Sequence, residues 1–137
     1  MSLFNVFDVV ASAMRAESIR LNTTSSNLAN ADSVSSSAID TYRARHPVFG
    51  VELSRARHNS HSMLVKVLGV VESNKPLNVE YNPNHPLANS EGYIYRPNVN
   101  MVEEMANMIS ASRSYQTNVQ VADSSKQMLL RTLQMGK

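Results

Sequence analysis

Apolar and polar positions follow one rhythm at the two ends of this chain and another in its middle. Near the start, Leu3, Phe7, Val10, Met14, Leu21 and Leu28 fall on alternating steps of three and four, with Glu17 and Thr24 at the two missing positions. This spacing gathers them on one helical face, and neither Pro nor Gly interrupts residues 1–46. The last third repeats the spacing with Met101, Met105, Met108, Ser112, Tyr115, Val119, Ala122, Leu129 and Leu133, Lys126 being the one charged intruder. Asn98 or Asn100 is placed to cap this second helix, with Glu103 and Glu104 set favourably against its dipole.

The middle is different. Tyr42–Leu53 and Ser62–Val71 are rich in Val, Leu and aromatic residues, and MLVKVLGVV (63–71) reads as a strand. Residues 74–98 then carry four of the five prolines, with Asn-Pro and Pro-Asn steps that mark turns. The expected fold is mainly α with a small β/loop insert, its long N- and C-terminal helices pairing antiparallel in coiled-coil fashion. Residues 1–39 and 98–137 would form a terminal-helix assembly domain, and residues 40–97 a β-and-loop insert that brings the chain back towards its start.

The polar residues change this picture. Seven of the nine residues from Asn22 to Asn30 are Asn, Ser or Thr. Each is roughly 0.5 kcal/mol worse than Ala in a helix, a combined deficit of about 3.5 kcal/mol. A helix of this length is marginal alone even with good residues, so the segment requires something packed on it. From Met105 to Ala122 the only charged residue is Arg113. A helix with a solvated face normally carries charges there, so this one is expected to lie among other helices. One chain of 137 residues cannot supply that many neighbours, which implies self- or hetero-assembly. The expected interface comprises Phe7, Val10, Met14, Leu21, Asn27, Leu28 and Asn30 at one end. Met105, Met108, Ile109, Tyr115, Val119, Leu129 and Leu133 supply the other.

Composition mainly excludes. The chain has one domain's worth of residues, no cysteine, and 13 basic against 11 acidic residues. There is thus no disulfide, no thiolate chemistry and no nucleic-acid footprint in the charge. A cleaved secretory signal is not expected, because the first basic residue is Arg15 and a signal needs its charge ahead of the apolar run. No apolar run is long enough to span a bilayer. His58 and His61 have a ligand-like spacing without an acidic partner nearby in sequence, and Arg55, Arg57 and His58 form one short basic run. A solvated loop accounts for both. With four glycines and neither a P-loop nor a nucleophile elbow, the chain is expected to have no catalytic site, cofactor or metal.

Three stretches carry a family likeness: SNLANADSVSS (26–36), TYRARHPVF (41–49) and YNPNHPLANSEGYIYRPNVNMVEEMANMISASRSYQTNV (81–119). Together they resemble the bacterial flagellar basal-body rod proteins, in particular the FlgC type of the proximal rod. GYIYRPNVNMVEEMANMISASRSYQ (92–116) is the most specific block, whereas NLAN is shared more widely among rod and hook proteins. DSVSSSAIDTYRAR (32–45) stands where many relatives have a Thr-Pro-Gly-Tyr turn, which favours the proximal-rod branch. The resemblance implies a structural subunit of the hollow drive shaft that transmits motor torque. It implies export without cleavage through the flagellar type III apparatus, assembly in the periplasm with other copies and other rod proteins, terminal helices lining the inner tube, and a middle segment facing outward. The alternative is a cytosolic helical adaptor or export chaperone, which would share the amphipathic ends and the lack of catalytic chemistry.

Overall fold

The computed structural model describes residues 3–54 and 62–136. Helix α1 spans Leu3–Ala29, and an antiparallel hairpin follows, formed by β1 (Arg45–Ser54) and β2 (Ser62–Glu72). A second, shorter hairpin pairs β3 (Asn78–Tyr81) with β4 (Tyr93–Arg96), and α2 runs from Met101 to Met135. Among the described residues no helix is long and apolar enough to cross a membrane.

The expected fold of mainly α structure, with terminal helices pairing as a coiled coil, is not met. About half of the described residues are helical (49%) and nearly a quarter lie in strands (23%), so the architecture is α+β. The pattern misleads for two physical reasons. First, α1 packs on β1 and β2 as well as on α2, which a two-helix seam does not provide for. Second, the buried residues of α2 are Glu104, Ala111 and Ser125, each one position before Met105, Ser112 and Lys126 of the expected seam. Small or polar groups fill the contact, while Met105 is left 46% exposed and Leu133 64%. Large knobs seated fully in holes define a coiled coil, and among the described residues the large seam side chains other than Val10 are at most half-buried.

Asparagine side chains do much of the joining. Asn100 caps α2, accepting from the Val102 and Glu103 amides at 3.1 and 3.3 Å, with Glu103 and Glu104 in the first turn. Asn98 has another task. Its Oδ1 accepts from the Ala44 amide at 2.8 Å, while its Nδ2 donates to the carbonyls of Ser73 (3.3 Å) and Lys75 (2.8 Å). One side chain thus ties the segments flanking the long hairpin to the approach to α2. Asn78 donates to the Pro97 carbonyl at 3.2 Å. Such staples matter because the buried apolar set among the described residues is small: Val10, Ala16, Ala44, Ile94, Pro97 and Ala111.

The sequence marks only turns across residues 74–98, and the structure forms a second hairpin there. Its connection, residues 82–92, holds Pro83 and Pro86 and closes on Asn89, whose Oδ1 accepts from the Glu91 and Tyr93 amides at 3.0 and 2.9 Å. Gly92 has φ +82°, and a Cβ there would lie 2.9 Å from the Tyr81 ring. Both the conformation and the close approach require glycine.

Candidate assembly surface

The polar stretch after α1 finds its first neighbour inside the chain. Asn27 is fully buried on the last turn of α1. Its Nδ2 donates to the Arg45 carbonyl at 2.8 Å, and its Oδ1 accepts from the Arg45 amide at 2.9 Å and from the Tyr42 hydroxyl at 2.8 Å. The amide group therefore pairs with the first residue of β1 much as another strand would, fixing where the long hairpin leaves the helix. Asn30 covers a helix-end carbonyl, donating to Ser26 at 2.8 Å. Ser35 then exchanges two backbone hydrogen bonds with Tyr95, at 3.0 and 2.9 Å, adding a bridge to the far edge of β4. A polar recess of about 510 Å³ lies at this joint, flanked by Asn30, Ser35, Asp40, Arg43 and Glu72.

Other sequence-predicted positions divide sharply. Val10, like Asn27, is buried within the chain. Phe7, Met14, Leu21 and Leu28 on α1, and Met108, Tyr115, Val119 and Leu129 on α2, are half-buried. Met105, Ile109 and Leu133 stand 46, 55 and 64% exposed. Sequence reading missed Val102, Met128, Leu130 and Met135, all exposed on α2. They lie off the heptad line and outside the charge-poor stretch from Met105 to Ala122, so no pattern in the sequence marked them. Exposed apolar residues thus gather at the two ends of α2, around Met101–Ile109 and Met128–Met135, while the exposed positions between them are polar apart from Val121. Such uncovered apolar patches mark contact with other proteins.

Chemical groups are sparse. His58 and His61, with Arg55 and Arg57, lie outside the described residues. Among the described residues no three His, Asp or Glu side chains come together as a metal-holding group. Among the described residues, half-exposed ion pairs join Arg45–Glu72 at 3.0 Å, Lys66–Glu52 at 3.4 Å and Arg96–Glu80 at 3.0 Å across strands, and a more buried pair joins Glu17–Arg20 at 3.8 Å on α1.

Comparison with known proteins accords with this division into two ends and a middle. The family described as flagella basal body rod protein matches residues 7–35. The family described as flagellar basal body rod FlgEFG protein C-terminal matches residues 90–135. The flagellar basal-body rod protein FlgC of Salmonella typhimurium is 46% identical over 137 residues, covering all of both chains. The chain belongs to the FlgC family of flagellar basal-body rod proteins. FlgC of Escherichia coli O6:H1 is 47% identical with the same full coverage, and FlgC of Bacillus subtilis 33%, again over the whole of both chains. As a FlgC protein this is a structural subunit of the flagellar basal-body rod and not an enzyme. The adaptor or chaperone alternative has no support in these relatives.

Proposed function

We propose that this FlgC protein packs against other copies and other rod proteins through its terminal helices, building the hollow proximal shaft that carries motor torque. The observation that carries this reading is the pair of uncovered apolar patches on α2, where Met105 and Ile109 near its start and Met128, Leu130 and Leu133 near its end are about half-exposed or more among the described residues. Exposed apolar area of this extent is costly in water and is removed when a neighbour covers it. Residues 1–39 and 98–137 act as the assembly unit, and residues 40–97 as the insert carried outside it. The exposed members of the expected interface make the contacts, while Val10 and Asn27 set the geometry from within. The subunit reaches the periplasm through the flagellar type III export apparatus without a cleaved signal. The lack of cysteine suits passage into an oxidising space.

Leu133→Asp tests the packing role, because it places a charge on an exposed apolar position without touching the monomer's interior. The variant is expected to be exported and folded yet missing from isolated rods, leaving cells non-motile. Normal swimming with Leu133→Asp would contradict the packing role. Accumulation of the wild-type chain in the periplasm of cells lacking the export apparatus would contradict the route.

A further inference from the structure

The long hairpin has two unlike faces. In an antiparallel pair, residues directly opposite share a face. Past the irregularity between Val48 and Phe49, the register sets Phe49 against Val67, Val51 against Val65 and Leu53 against Met63. These six apolar residues form one face with no charge on it. The other face carries Gly50, Glu52, Leu64 and Lys66, and the Glu52–Lys66 ion pair lies on it at 3.4 Å. That second face suits water. The first does not, yet Val51 is 72% exposed, Met63 65% and Leu53 58%. Helix α1 meets β1 at Arg45 through Asn27, and the margin of β2 through Ser12, whose Oγ accepts from the Val65 amide at 3.1 Å. It leaves Val51, Leu53 and Met63 of the apolar face open.

A second uncovered apolar face lies on the first turns of α2. Met101, Met105 and Ile109 follow at steps of four, with Val102 beside them, and are 38, 46, 55 and 76% exposed. Among the described residues α2 does not pack on the long hairpin, so the two faces cannot cover one another within one chain. We infer that they meet between copies: the apolar hairpin face of one subunit docks on the Met101–Ile109 stripe of a second copy. The inference rests on the assembly reading above and extends it to the insert. Two different patches on one chain make a heterologous contact, which repeats from copy to copy where a self-matching patch would close a two-fold dimer. A rod subunit needs the repeating kind. Size fits as well. Three residue pairs expose on the order of 400 Å², within the range of the largest patch on a typical monomer. That is about half of the roughly 800 Å² per partner in a standard stable interface. Two free subunits would therefore hold each other weakly, and the contact becomes persistent only alongside the other contacts of a polymer.

The chain has no cysteine, so each introduced thiol is unique. Single variants Val51→Cys, Leu53→Cys and Glu52→Cys would be labelled with maleimide as folded monomers and within isolated basal bodies. Labelling of Val51→Cys and Leu53→Cys is expected to be lost on assembly, with Glu52→Cys still labelled. Co-expressed Val51→Cys and Ile109→Cys chains should then join through a short bismaleimide. Undiminished labelling of both hairpin variants in assembled rods would overturn the inference. So would protection with cross-links only to another hairpin or to a different protein. Absence of every variant and of the parent chain from basal bodies would refute the assembly reading itself, and this inference with it.

Discussion

Replacing Asn27 with alanine tests whether a buried amide holds the long hairpin to α1. The side chain is fully buried and makes three hydrogen bonds between 2.8 and 2.9 Å, two to the Arg45 backbone and one to the Tyr42 hydroxyl. A typical bond contributes about 1 kcal/mol net, so their loss costs about 3 kcal/mol. Alanine is a better helix former and returns about 0.5 kcal/mol. The remaining loss, about 2.5 kcal/mol, lowers the melting temperature by about 10 °C for a domain of this size. Asn30→Ala is the matched control, since it removes one bond, to the Ser26 carbonyl, from a half-buried position. Thermal unfolding of the monomers, followed by circular dichroism, gives both values. Hydrogen exchange at the Arg45 amide should rise in Asn27→Ala more than elsewhere in β1. Melting of Asn27→Ala within about 2 °C of the parent, or an equal drop for Asn30→Ala, would refute this account of the joint.

Other substitutions separate packing, backbone and surface effects. Ile94→Ala empties a fully buried site on β4 and is expected to cost about 2–5 kcal/mol in denaturant unfolding. Gly92→Ala forces a side chain into φ +82° beside the Tyr81 ring and should cost about 1–2 kcal/mol, checked the same way. Glu72→Gln breaks the half-exposed pair with Arg45 and should change stability by less than about 1 kcal/mol, because water screens such pairs. Leu133→Asp should leave monomer melting within the roughly 0.5 kcal/mol typical of surface changes while abolishing incorporation into rods.

What the sequence shows of this fold depends on how local each cause is. The two helices, the Asn100 cap and the hairpin strands β1 and β2 rest on spacing within a few residues, and they lie close to where the pattern put them. Strands β3 and β4 have four residues each, too few for an alternation to show, and the prolines between them read as turn alone. The α2 seam is displaced by one residue because its buried positions, Glu104, Ala111 and Ser125, carry no hydrophobic signal. The neighbouring line of Met105 and Val119 did carry one. Asn27 stood out as a poor helix residue, but its partners Tyr42 and Arg45 lie 15 and 18 residues on, and only the fold brings them to it. Asn98 was one of two possible caps and proves to be a staple between distant segments. The hairpin's apolar face was hidden as well, since Val and Leu run along both strands and only the register separates the uncharged face from the one bearing Glu52 and Lys66.

The most direct test of the rod-subunit account is quantitative mass spectrometry of detergent-extracted, sedimented basal bodies, beside the soluble fraction of the same cells. The account predicts recovery in fixed proportion to the ring and rod proteins. Recovery in the cytosolic fraction alone would contradict it.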